Sequence, residues 1–352
     1  MTSKERVLRA VAHQEVDRIP AGLFGTHPDY MAGLAAHVGA ANVEAMFREL
    51  GIDVWHGWGQ GLTYAGPPRL WKGVPVNEWG FPLNPAKEKA GYSHNTDAPL
   101  ADVTTLDEVE SFPWPSADDY VGDGLPEYFD QHREFAVVGG INSAIFHIYT
   151  WMCGFENALM LLSLEPQLAE AIIRHITDFW EGYLRKLLQI GAGRIDIIEN
   201  CNDFGTQCSL FISPVQFREF FRPALQRLYD VTHEHGVKMM QHSCGAIAPL
   251  VPDFIEMGAD ILNPIQVTAT GMDLETLVPA YGKKICFYGG IDTQHVLPNG
   301  PVEVIRRDTR HLIELFGHDG GLILAGSQGL MNDVPYDHAV AMFKERSTRG
   351  LR

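Results

Sequence analysis

Short apolar runs alternate with helical patterns along nearly the whole chain. Runs of buried-strand type lie at residues 18–24, 52–57, 135–139, 194–199, 237–242, 258–265, 284–289 and 321–325. Helical segments follow, with apolar residues recurring every three to four positions, the mark of a helix with one buried face. The longest begins after Pro166 and carries Leu168, Ile172, Ile176, Phe179, Tyr183 and Leu187 on one stripe. Ser3, Asn42 and the capping box of Ser213 with Gln216 open helices, and Gly51, Gly191 and Gly236 close them.

Strands alternating with helices predict a parallel sheet. Eight such units predict one α/β domain over residues 1–352, a (β/α)8 TIM barrel. A doubly wound open sheet is the rival. No Gly-x-Gly-x-x-Gly follows an early strand, which weakens that rival. One region breaks the rhythm. Residues 59–115 are rich in Gly, Pro, Trp and Asn and show no helical period. They predict an inserted loop with short hairpins around residues 70–72 and 77–80. An excursion of this length serves as a functional loop or lid.

Composition narrows the partners. The chain has 352 residues, 45% hydrophobic and 20% charged, the balance of an ordinary soluble protein. A formal net charge of -17 argues against nucleic acid or an anionic membrane, because both need a basic surface. No run of about 18 apolar residues offers a membrane span. The opening residues lack the apolar core of a signal peptide. Five widely spread cysteines do not form a disulfide framework. They predict a reduced, cytoplasmic protein, with Cys153 and Cys286 structural and Cys208 unassigned.

In a barrel, chemistry gathers at the carboxyl ends of the strands. There the sequence places His27, His56 with Trp58, Asn142, the polar run from Glu199 to Asp203, His242 with Cys244, Gln266, Asp292, and Ser327 with Gln328. His242 and Cys244 are two apart on a strand and so share a face. An imidazole nitrogen and a thiolate sulfur suit Zn2+. The plainer alternative is a hydrogen-bonded histidine beside an inert thiol. Glu199 is a third ligand, a general base or a partner for a cation, and Cys201 is a further candidate ligand. Asp292 ends a Gly-Gly-Ile-Asp turn and either orients a ligand or caps the turn. His311, His318 and His338 read as surface residues.

The blocks HSCG at 242–245, GADILNPIQ at 258–266, YGGID at 288–292 and DFGTQ at 203–207 resemble the uroporphyrinogen decarboxylase superfamily. So do Ser213-Pro214, DVP at 333–335, KERV at 4–7 and DRIP at 17–20. The resemblance runs nearly end to end and implies a (β/α)8 barrel and a homodimer. Its classical decarboxylases bind a tetrapyrrole with four acetate arms through an Arg-Gln-Ala-Gly-Arg segment. The equivalent stretch here, GLFGTHPDY at 22–30, has no arginine.

A second branch comprises cobalamin-dependent methyltransferases, including O-demethylase components, which hold Zn2+ through a His-x-Cys pair and a later cysteine. This chain is more similar to that branch. His242 and Cys244 match the pair, but no cysteine stands near residues 325–328. Either Glu199, Cys201 or Gln328 completes the site, or the metal is absent. The resemblance thus implies methyl transfer between a small methylated substrate, such as a methyl ether, and cobalamin on a separate corrinoid protein. On that reading His242, Cys244, Glu199 and Cys201 hold Zn2+, and Glu199, Asp203 and Asp292 act at the reacting centre. His27, Trp58, Asn142, Gln266 and Gln328 meet substrate, with Trp55, Trp58 and Trp79 walling an apolar pocket. The alternative is a metal-free decarboxylase of a tetrapyrrole or smaller acid, using the same basin.

Overall fold

A computed structural model describes residues 1–56, 61–83, 98–141, 143–316 and 319–346. Trp58, Asn142 and His318 lie outside the described residues. Seven parallel strands form the main sheet: β1 (Val54–His56), β2 (Ala136–Ile141), β3 (Ile197–Cys201), β4 (Lys238–His242), β5 (Ile261–Ile265), β6 (Cys286–Ile291) and β7 (Leu322–Gly326). They pair in chain order, as parallel strands joined by helical crossovers do. Val54, Val138, Ile197, Met240, Ile261, Tyr288 and Ala325, from all seven strands, meet with Phe24 in one apolar cluster. Residues from both edge strands share that cluster, so the sheet curls around it.

Eight expected strands become seven. Residues 18–24 make a single parallel bridge, Ala21 with Leu324. Leu324 N donates to Pro20 O, Gly22 N to Leu324 O, and Asp53 N to Ala21 O. The segment thus bonds to β7 on one side and to the residue before β1 on the other. Pro20 has no N–H with which to lengthen the ladder. At Gly22 an added Cβ would lie 1.8 Å from the Tyr288 hydroxyl, so the strand interior there tolerates only glycine.

Three local expectations change. Thr2, not Ser3, caps the first helix, Ser3–Val11. The helix expected over 146–164 is two, Ile145–Cys153 and Phe155–Leu164, divided at Gly154, whose φ of 77° is left-handed. Inside the aperiodic region lies the helix Leu106–Ser111, held by a capping box between Thr105 and Glu108. Six residues are too few to display a helical period. The expected hairpin pairs Arg69–Trp71 with Val74–Val76, and around residues 77–80 an isolated antiparallel bridge joins Val76 to Pro82. Trp79 is buried against Phe179 and Trp180, and Trp55 stacks on His132. Both are packing aromatics. No helix among the described residues is long and apolar enough to cross a membrane.

Just before β1, Asp53 is fully buried and meets three guanidinium groups. Arg6 Nη1 donates to Oδ1 at 2.7 Å, Arg18 Nη1 to Oδ2 at 2.6 Å, and Arg346 Nη1 to Oδ2 at 3.3 Å. Ala21 N also donates to Oδ2, at 3.0 Å. One carboxylate therefore ties the first helix, the Ala21 segment and the end of the last helix together.

Candidate functional site

The period of two along each strand sets the site directly above the apolar cluster. Ile197 lies in the cluster, and Glu199 and Cys201 follow it on the same face of β3. Met240 lies there too, and His242 and Cys244 follow at the end of β4. Cys201 pairs with His242 in register, and His242 with Asn263 of β5. Neighbouring strands thereby bring sulfur, carboxylate and imidazole groups to one place.

His242 is the hub. Its Nδ1 lies 2.7 Å from Asn263 Oδ1 and 3.3 Å from Glu199 Oε1. Asn263 Nδ2 donates to Tyr288 O, which turns Oδ1 toward the ring. Both neighbours of Nδ1 are acceptors, so Nδ1 carries the proton. Nε2 then faces Cys244 Sγ at 3.4 Å and Asp203 Oδ1 at 3.7 Å. Ligand atoms of Cys201, Asp203 and His242 all lie within 4.8 Å of one another, close enough to share a metal ion. Glu199 stands behind the imidazole, in the arrangement by which a carboxylate fixes the tautomer of a metal-binding histidine.

Electrostatics agree with that geometry. Burial pushes the Glu199 carboxyl up, but hydrogen bonds and charge from His242 and His56 outweigh it and hold it well below the ordinary range. Asp203 is likewise lowered against its burial, by His147 and His242. The Cys201 thiol is lowered against burial by His242 and His147, whereas burial prevails at Cys244 and raises it. Burial alone would push the His242 imidazolium down, yet the Cys201 and Cys244 sulfurs raise it well above its usual value. The cluster thus favours positive charge at its centre, which is the field a divalent cation needs.

Supporting contacts are specific. Asp203 Oδ1 accepts from Cys244 N at 2.8 Å, and Gln328 Nε2 donates to Cys244 Sγ at 3.0 Å. Gln328 thus reaches the thiol from the region where the later cysteine is missing. Gln266 Oε1 accepts from Gly245 N at 2.8 Å. Phe24 meets the His242 ring edge-on at 6.1 Å. Asp292 and His27 stand in local roles. Asp292 Oδ1 accepts from the backbone amides of Gln294 and His295, and His27 Nδ1 accepts from Asp29 N at a helix start. Cys153 and Cys286 are buried, and Cys208 is exposed.

Three residues were overlooked in the sequence. Asn263 orients His242, and its signal was a polar side chain inside a wholly buried strand. His147 sits in the first turn of Ile145–Cys153, with Nε2 at 3.5 Å from Asp203 Oδ2 and Nδ1 at 3.2 Å from Cys201 O. That Asp203 contact raises it to about 10 despite burial. Tyr288 bonds through its hydroxyl to His56 Nε2 at 2.9 Å, and His56 Nδ1 lies 3.7 Å from Glu199. Nothing in the local sequence around His147 or Tyr288 announces these partners.

Fold and cluster together define an α/β protein with candidate metal donors at the carboxyl ends of a curled parallel sheet. Residues 74–348 match the family model described as uroporphyrinogen decarboxylase (URO-D), and the chain belongs to that family. Among curated relatives, the uroporphyrinogen decarboxylase of Thermus thermophilus is 25% identical over 187 residues, 52% of this chain and 50% of that one. That of Bacillus anthracis is 23% identical over 262 residues, 71% and 69% of the two chains. The match to the Thermus enzyme therefore spans half its length. Among solved structures, a methyltransferase from Methanosarcina mazei superposes with a TM-score of 0.65 at 18% identity, over 99% of this chain and 98% of that one. At that identity the likeness is one of fold.

Proposed function

We propose that this protein is a zinc-dependent methyltransferase built on a single (β/α)8 barrel. It moves a methyl group between a small methylated substrate, a methyl ether or similar, and a corrinoid carried by a separate protein. The observation that carries this reading is the convergence of Cys201, Asp203 and His242 within 4.8 Å, with Cys244 Sγ beside His242 Nε2. A set of sulfur, nitrogen and carboxylate oxygen is a donor set Zn2+ accepts. Zinc, when bound, supplies Lewis acidity toward a thiolate or an ether oxygen.

The chain's own groups prepare the site. Asn263 and Glu199 hold the Nδ1 proton of His242 and leave Nε2 free to ligate. Asp203 fixes the Cys244 backbone, and Gln328 bonds to its sulfur. Phe24 and Tyr288 seal the cluster from below, both buried. The Methanosarcina neighbour, itself a methyltransferase, is consistent with this reading. Family membership supports the second reading, decarboxylation of a tetrapyrrole or smaller acid.

Two measurements separate them. Purified protein is expected to contain about one zinc ion per chain and to perturb the absorption spectrum of added cobalamin. Negligible metal together with tight porphyrin binding would sink the methyl-transfer reading. Glu199→Gln keeps the shape behind His242 but removes the charge. We expect zinc affinity to fall on the order of 10- to 100-fold, as for other outer partners of metal-bound histidines. Competition with a chromogenic chelator measures it, and unchanged affinity would show that Glu199 does not support the site.

A further inference from the structure

A cavity of about 200 Å³ opens at the carboxyl ends of β5, β6 and β7. Its polar lining includes Gln266, Thr293, Gln294, Ser327, Gln328 and Asp333. It adjoins the cluster twice, through Gln328 on Cys244 Sγ and through Gln266 on Gly245 N. Among the described residues no lysine or arginine lines it, and Asp333 is its single charged side chain.

The segment at 22–30 closes one flank. Gly25 packs so near Gly329 that an added Cβ would lie 3.3 Å from Gly329 Cα and 3.8 Å from Gln328 Oε1. Leu330 N donates to Thr26 Oγ1 at 3.0 Å. That segment holds no lysine or arginine.

Charge decides what such a cavity takes. A carboxylate or sulfonate entering it would find no lysine or arginine among the lining residues and would stand beside the exposed Asp333. An anion that gives up water there gains no lysine or arginine partner, which disfavours it. A neutral ligand meets a different surface. Gln294 and Gln266 are carboxamides, and Thr293 and Ser327 are hydroxyls. Each has hydrogen-bonding capacity suited to ether and hydroxyl oxygens.

We propose that this cavity selects an uncharged, oxygen-bearing methyl compound and rejects its carboxylated analogues. Calling the ligand a methyl compound rests on the function proposed above. The charge preference rests on the lining alone.

The test uses a matched pair, 2-methoxyphenol and 4-hydroxy-3-methoxybenzoate, which differ by one carboxylate. Each is titrated calorimetrically into the full chain at pH 7. The phenol is expected to bind at least ~tenfold tighter, the discrimination that one unpaired charge readily gives. In Asp333→Lys the preference is expected to shrink or reverse. Equal or tighter binding of the benzoate to the unaltered protein overturns the proposal. So does failure of both ligands to bind, or an unchanged ratio in a folded Asp333→Lys protein, checked by circular dichroism. No corrinoid protein is present in these titrations. Absent methyl transfer with an intact preference would count against the proposed function only, and a reversed preference against the cavity inference only.

Discussion

On the proposed zinc-site reading, replacing His242 with alanine is expected to lower bound metal from about one zinc ion per chain to under about a tenth. Nε2 is the nitrogen donor of the cluster, and it sits between Cys244 Sγ at 3.4 Å and Asp203 Oδ1 at 3.7 Å. Without it Glu199 and Asp203 each lose one of the two histidines that lower them, His56 and His147 remaining. Methyl transfer should fall with the metal, by on the order of a hundredfold or more, because removing one preorganised electrostatic group already costs that much. Elemental analysis of the purified variant reads the first effect, and turnover reads the second. A variant that retains full zinc would move the metal away from this cluster. Circular dichroism separates metal loss from unfolding, since His242 rests on an apolar layer that the substitution leaves intact.

Asp53→Asn is expected to produce the largest loss of stability. The carboxylate is fully buried and neutralises parts of Arg6, Arg18 and Arg346 at once. Removing one member of a buried ionic group leaves the others uncompensated, at a cost on the order of 3–5 kcal/mol. That is a large share of the roughly 5–15 kcal/mol by which folded proteins exceed their unfolded state. The carboxyl is held below its ordinary range, its burial outweighed by the hydrogen bond from Arg18 and the charges of Arg346, Arg18 and Arg6. A depressed carboxyl contributes stability that is fully present above its unfolded pKa of about 4 and lost as pH falls through the folded value. Neighbouring Asp17, paired with Arg6, is lowered to about 2 and acts in the same window. Urea unfolding midpoints should therefore fall between about pH 4 and pH 2 in the unaltered protein, and the fall should be shallower in Asp53→Asn. Equal stability of the Asp53→Asn protein and the original at pH 7 would show that this carboxylate does not hold the three guanidinium groups in the fold.

Much of the site was legible because strands have a fixed period. His242 and Cys244 could be placed on one face from spacing alone, and their nitrogen and sulfur do converge. Glu199 and Cys201 were legible for the same reason, since polar residues that continue an apolar strand point where the apolar ones point. Their division of labour was not legible. Glu199 lies on the Nδ1 side of His242, and Asp203 on the Nε2 side. Only the register between β3, β4 and β5 fixes that. His147 was missed because it comes from a helix, where no strand period applies, and it reaches Asp203 from a distant part of the sequence.

The sequence by itself determined most of the succession of strands and helices, several of their caps, and the absence of the later cysteine near Gln328. These are local properties, set by side-chain period, by missing N–H groups and by glycine. Only the tertiary structure decided that the first expected strand shrinks to one bridge, which polar side chains share the cluster, and that the adjoining cavity holds a carboxylate and no described cation. Those outcomes depend on groups far apart in the chain, whose distances and charges interact only after the sheet has curled and excluded water.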